Sequence, residues 1–254
     1  LRSFKKAKTP RNDIEIRFNK PGPRVKKLIA FAEELQIPCI QCSPDDLDNL
    51  VSGLNKSSHD HRGIVLVYKE DAQKRKGNIV RFDSYLVDLL QKNNSEKPIT
   101  VVLLDHITDP HNIGAVIRSC DQFGASLLVI PEHGSGFESD VIARSSAGAV
   151  SWIPVAIVSN LVRTIEKLQK AGFWTYAAQA GGTSVHEIDI PSHFAVVLGS
   201  EGSGISRLLA ETCDASLSIP TCGKLDSLNV SVAAGIILYE VHKQILCKGN
   251  ISKN

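Results

Sequence analysis

Three polar motifs hold the residues that could do chemistry, and each follows an apolar run that reads as a strand. The first is Asp105 to Arg118, DHITDPHNIGAVIR, where Asn112 occupies a helix N-cap position and Ile113, Val116, Ile117 and Cys120 repeat at helical spacing. Arg118 falls off that apolar stripe, so it either faces solvent or reaches an anion bound at the strand-end loop. The second motif is Leu198 to Ser206, LGSEGSGIS. Its glycines follow G-x-x-G-x-G, which is neither the dinucleotide fingerprint nor a P-loop. It is either a plain turn or a place where backbone approaches a ligand and Glu201 points one carboxylate inward. The third is Ile219 to Glu240, IPTCGKLDSLNVSVAAGIILYE, in which a strand end passes through Pro220 and Gly223 to Ser227-Leu228-Asn229. Serine and asparagine cap helices by accepting backbone N–H bonds that the first turn leaves unpaired. Neither a Ser-His-Asp arrangement nor a carboxylate pair is visible in the spacing.

The elements that must position these motifs alternate. Beyond Pro98, strands are expected at Ile99–Leu104, Leu127–Ile130, Phe173–Ala177, Phe194–Leu198 and Ala215–Ile219, with helices at Ile113–Phe123, Asp140–Ala147, Leu161–Ala171 and Ile205–Thr212. Strands alternating with helices imply a parallel sheet covered on both faces, whose ligands bind at the carboxyl ends of the strands. After Asn229, Val230 through Val241 leave almost no polar face, so this helix is expected to be buried on most sides, with Ser231, Ala234 and Gly235 admitting close approach of another backbone. Ahead of Pro98, Ile14–Phe18, Ile37–Gln41 and Gly63–Tyr68 read as strands, and Arg24–Leu35 and Pro44–Val51 as helices, a small α/β sandwich. The charged segment DAQKRKGN lacks apolar periodicity and reads as a linker. The division is therefore a front domain over residues 1–70, a linker over 71–80 and a second domain over 81–254.

At 254 residues the chain suffices for one large domain or two ordinary ones. With no run of about 18 apolar residues and no signal-peptide pattern, it is expected to be soluble and cytoplasmic, with no membrane partner. Six scattered cysteines read as reduced structural thiols. Cys39 and Cys42 have C-x-x-C spacing without a second pair, and His59 and His61 fall in a polar loop, so no metal site is expected. Charge is uneven: residues 1–98 carry 19 Lys and Arg against 13 Asp and Glu, while the remainder carries 10 against 14. A basic front, including Arg24, Lys26 and Lys27 on the outer face of the first helix, attracts a polyanion by releasing its counterions, or is simply a solvated arm. A nucleic-acid partner bound through the front domain is the functional expectation.

Together, Asn112-x-Gly114-x-x-x-Arg118, Gly199-Ser200-Glu201-Gly202-x-Gly204, and Ile219-Pro220 with Ser227-Leu228-Asn229-Val230-Ser231 resemble the three motifs of the SpoU (TrmH-like) family of RNA ribose 2′-O-methyltransferases. The match in order, placement and residue type runs over residues 98–244. The front segment resembles the ribosomal-protein-like substrate-binding domain of RlmB-type ribosomal RNA enzymes, whose first strand and helix would lie before Leu1. The resemblance implies a C-terminal α/β domain with a deep trefoil knot and S-adenosylmethionine as methyl donor, without a metal. It implies donor contacts from the backbone of Gly199, Ile219 and Leu228 with the Ala178–Gly182 loop nearby. It makes Arg118 the group that activates the ribose hydroxyl, oriented with Asn112, Glu201, Ser227 and Asn229, in a homodimer. The implied substrate is a guanosine of large-subunit ribosomal RNA. A tRNA ribose methyltransferase and a catalytically silent RNA-binding assembly protein are the alternatives.

Overall fold

The computed structural model describes residues 14–53, 59–68, 78–92, 98–132, 137, 140–225 and 227–251. The chain divides into two compact units, residues 1–75 and 76–254. The basic segment before residue 14 and most of the segment read as a linker lie outside the described residues.

In the front unit, β1 (Ile14–Phe18) pairs in parallel with β2 (Cys39–Gln41) and antiparallel with β3 (Ile64–Tyr68). Alternation puts Ile14 and Ile16 on the face that packs with Ala32 and Ile37, and α1 (Pro23–Glu34) covers it. Arg24, Lys26 and Lys27 are exposed on α1. The helix α2 (Pro44–Val51) opens on a reciprocal capping box between Ser43 and Asp46, with Pro44 in its first turn. His61 accepts a hydrogen bond from the Gly63 N–H and lies 3.0 Å from Asp48.

The second unit is built on seven parallel strands in the order β10-β8-β9-β5-β6-β7-β4. These are β4 (Ile79–Val80), β5 (Ile99–Asp105), β6 (Leu127–Pro131), β7 (Val155–Val158), β8 (Trp174–Ser184), β9 (His193–Gly199) and β10 (Ala215–Ser218). Every residue of β5 is buried, as a central strand covered on two faces requires. Alternate residues feed two cores. Val102, Leu104 and Leu198 pack under α4 (Pro110–Phe123), α5 (Asp140–Ser145) and α8 (Val230–Ile251). Val101, Leu103 and Val197 pack under α3 (Phe82–Lys92), α6 (Leu161–Lys170) and α7 (Arg207–Thr212).

Three expectations change. Ile79 and Val80, read as the end of the linker, form the edge strand beside β7, and β7 itself has no counterpart in the expected strands; two and four residues are too few to show a period. The region read as a strand ending at Ala177 continues to Ser184, but between Ala177 and Thr183 five residues bulge out while β10 advances by one. The helix α8 buries Val230, Ala234, Ile237, Leu238 and Val241, yet Val232, Ile236 and Tyr239 are 49%, 38% and 55% exposed. An apolar surround therefore marks two faces here: one seated on α4, and one open. By length and composition α8 is also apolar enough to span a membrane, but its inner face is part of the main core.

Burial pushes the Cys120 and Cys213 thiols up to about 12, whereas Cys222 and Cys247 are exposed. Since only the thiolate is alkylated, iodoacetamide at pH 8 is expected to modify Cys222 and Cys247 and spare Cys120 and Cys213, as read by peptide mass spectrometry. Rapid labelling of Cys120 in the folded protein would contradict this packing.

Candidate active site

All three motifs stand at the carboxyl edge of the parallel sheet. Asp105 ends β5 directly beside Gly199, which ends β9, and Ile219 follows β10. In the first motif the structure moves the helix start: Asp109, not Asn112, is the N-cap of α4, accepting a hydrogen bond from the His111 N–H, with Pro110 opening the first turn. Asn112 is thereby released from capping. Its side-chain Nδ2 donates to Glu201 Oε1 at 3.3 Å, and its Oδ1 accepts from Asn229 Nδ2 at 3.1 Å. Asn229 also donates to Glu201 Oε1 at 2.5 Å.

Asn229 is the hub of this triangle because it has two ends. Its Oδ1 caps α8, accepting from the Ser231 N–H at 2.9 Å and the Ser231 hydroxyl at 2.6 Å, while its Nδ2 serves Asn112 and Glu201. Residues 117 and 28 positions apart are thus joined at one point. Asparagine fits because its amide accepts and donates at once.

Asp105, which the sequence did not single out, holds the second motif in place. Its side chain is 5% exposed. One oxygen accepts from the Ser206 N–H at 2.7 Å, and the other lies 2.8 Å from His106 Nδ1. Between Gly199 and Ser206 the chain doubles back on itself, with Ser200 and Gly204 exchanging backbone hydrogen bonds. A Cβ on Gly199 would collide with the backbone of Gly204 and Ile205, so this position admits only glycine without a shift of the loop.

The residues expected to contact the donor are half-buried and share this edge: Gly199, Ile219, Leu228 and Ala178 belong to, or adjoin, the neighbouring strands β9, β10 and β8 and the start of α8. Ala178 opens the bulge of β8, and the bulge is tied to β10 by bonds from Gln179 to Ser216 and from the Ser218 hydroxyl to the Gly182 carbonyl. Half-buried backbone with small and aliphatic side chains suits an uncharged adenosine. Two expected residues are not drawn into the polar triangle. Ser227 is exposed and, among the described residues, has no side-chain partner. Arg118 is exposed on α4 and pairs with no described carboxylate. It precedes Ser119, which faces Gly235 of α8, and Phe123 of the same helix packs edge-on against Tyr239, so this side of α4 borders the open face of α8. No group of three or more potential metal ligands occurs among the described residues.

Residues 99–239 match the SpoU rRNA methylase family, a span that contains the first two motifs whole, the third to its last residue but one, and the strands that carry them. The chain belongs to the SpoU rRNA methylase family. A 23S rRNA (guanosine-2′-O-)-methyltransferase RlmB of Coxiella burnetii is 37% identical over 233 residues, 91% of this chain and 87% of that protein. An uncharacterized tRNA/rRNA methyltransferase of Borreliella burgdorferi is 34% identical over 90% of this chain and 97% of its own length. In fold, the chain is similar to the SpoU methyltransferase AviRb of Streptomyces viridochromogenes, solved with its cofactor AdoMet, with a TM-score of 0.64 at 24% identity over 92% of this chain and 83% of that one.

In this SpoU chain the two ends of Asn229 can be separated by substitution. Asn229→Ala removes cap and triangle together and is expected to cost about 1–2 kcal/mol of stability in denaturant unfolding. Asn229→Ser keeps a capping oxygen but has no amide for Asn112 and Glu201, so stability should largely return while methyl transfer stays low. Full recovery of activity with serine would show that the triangle is dispensable.

Proposed function

We propose that this SpoU protein transfers a methyl group from S-adenosylmethionine to the ribose 2′-hydroxyl of a guanosine in large-subunit ribosomal RNA, acting in the cytoplasm. The observation that carries the reading is the hydrogen-bonded meeting of Asn112, Glu201 and Asn229, one from each motif, at the sheet edge where the backbone of Gly199, Ile219 and Leu228 is half-buried.

The ribose hydroxyl is barely ionised at neutral pH, so it must be aligned with the sulfonium methyl and lose its proton as the new bond forms. In the transfer, the oxygen–carbon bond forms as the carbon–sulfur bond breaks, the electron pair stays on sulfur, and the proton leaves to water or phosphate. Arg118 keeps its proton in nearly any protein setting, so its part is electrostatic: the guanidinium holds the adjacent phosphate and stabilises the developing alkoxide. Glu201, fixed by two amide donors, is poised to accept a hydrogen bond from the ribose or the donor. Ser227, which has no described partner, is left available to substrate.

Two further parts of the reading rest on particular surfaces. Arg24, Lys26 and Lys27, exposed together on α1, form an RNA-docking face of the front domain. The open face of α8, with Val232, Ile236 and Tyr239, is covered by a second copy of the chain, which puts the site beside a subunit boundary. The knot implied by the family motifs is read between the β8 bulge and α8, at the close approach of Gly182 to β10: a Cβ on Gly182 would come within 2.7 Å of the Leu217 backbone nitrogen. The test is transfer of tritium from labelled S-adenosylmethionine to unmodified large-subunit ribosomal RNA, with unmodified tRNA in parallel. Label in the ribosomal RNA supports the proposal, and label confined to tRNA reassigns the substrate.

A further inference from the structure

A second polar feature lies on the same edge of the sheet, away from the three motifs. At the carboxyl ends of β4 and β7, a cleft of about 330 Å³ is lined by Arg81, Asp83, Ser159, Asn160, Arg163 and Lys167, among others. Asn160 caps α6 by accepting from the Arg163 N–H at 3.0 Å, and the first turn of α6 contains no acidic residue. Asp83 is the one carboxylate in the lining, and Lys167 answers it at 2.5 Å while lying over the Phe82 ring. The charge of Lys167 is therefore matched. The guanidinium groups of Arg81 and Arg163 have no ion pair among the described residues, so the lining sets three basic side chains against one carboxylate, beside the serine and asparagine of the β7–α6 turn.

We infer that this cleft binds a backbone phosphate of the substrate RNA, a few nucleotides from the reacting ribose. Arginine suits the task because its planar fork matches phosphate oxygens and its charge is permanent. The geometry suits it as well. β7 and β4 stand two and three strands from β5 in the sheet order, which at the usual strand spacing places the cleft about 10–15 Å along the carboxyl edge, on the side covered by α3 and α6. An RNA strand that runs along that edge from the Asn112–Glu201–Asn229 triangle and crosses from the α4 side to the α6 side reaches the cleft without leaving the second unit. The inference rests on the proposed RNA substrate but concerns residues outside all three motifs.

The experiment uses the full chain with Arg81→Ala and Arg163→Ala combined, measuring RNA affinity across a salt series together with donor affinity and the rate at saturating RNA. Both side chains are exposed, so the variant is expected to fold, which its unfolding midpoint checks. RNA affinity at 0.15 M salt should fall about tenfold, and the slope of log affinity against log salt should shrink by about 0.7–1, the signature of one lost phosphate contact. Donor affinity and the saturated rate should be unchanged. Wild-type RNA affinity and salt slope in the variant would overturn the cleft assignment alone. A wild-type protein that binds the donor but neither ribosomal RNA nor tRNA would overturn the proposed function, and the cleft assignment with it.

Discussion

Arg118→Ala is expected to slow methyl transfer by about 10²–10³-fold, the usual consequence of removing one preorganised group that stabilises developing charge. Donor affinity should stay within about twofold, because Arg118 lies on α4, outside the strand ends assigned to the donor. Stability should also hold, since the side chain is exposed and, among the described residues, unpaired. Single-turnover rates at saturating RNA, with donor binding followed by calorimetry, separate the two effects. Arg118→Lys sharpens the test. Lysine preserves the charge but loses the planar fork, so a rate close to that of alanine supports two-point contact with phosphate and alkoxide. Near-normal turnover in the lysine variant would show that charge alone suffices.

The second large effect concerns backbone. Gly199→Ala places a Cβ against the Gly204 and Ile205 backbone, where no side-chain rotation can relieve it. The loop must open or the end of β9 must move, and either displaces Glu201 and breaks the register of Gly199 with Asp105. Overpacking of this kind costs about 1–3 kcal/mol, which for a domain of this size lowers the unfolding midpoint by about 2–4 °C per kcal/mol. Donor binding should be lost even where the protein remains folded. Gly202→Ala is the matched control: a Cβ there meets nothing within 4 Å, and both stability and donor affinity should be unaffected. Equal behaviour of the two variants would mean that the doubled-back loop is not what shapes the donor site.

How much of the fold and site is legible in the residues depends on range. The helix Pro44–Val51 has the bounds expected of it because Ser43, Pro44 and Asp46 write its start locally. The seven-stranded sheet is visible in its longer strands, and the family in its three motifs, but not in β4 or β7, whose few residues pair only because a sheet is already there to receive them. Asn112 reads wrongly as a cap since two nearby signals compete for the start of α4, and Asp109-Pro110 wins by placing proline where a missing N–H costs nothing. The role of Asp105 cannot be read locally, because its partner Ser206 lies 101 residues away and only the closed fold brings them together. For α8, an apolar surround fits a helix buried all round and a helix with one open apolar face equally well; packing decides between them.

The most direct test of ribose methylation at this site is the chemical position of the transferred methyl. Large-subunit ribosomal RNA labelled by the wild-type protein, digested to nucleosides and separated, should carry its label as 2′-O-methylguanosine, with an initial rate of labelling about 10²–10³-fold lower in Arg118→Ala. Label on a base rather than a ribose, or label undiminished in Arg118→Ala, would contradict the assignment.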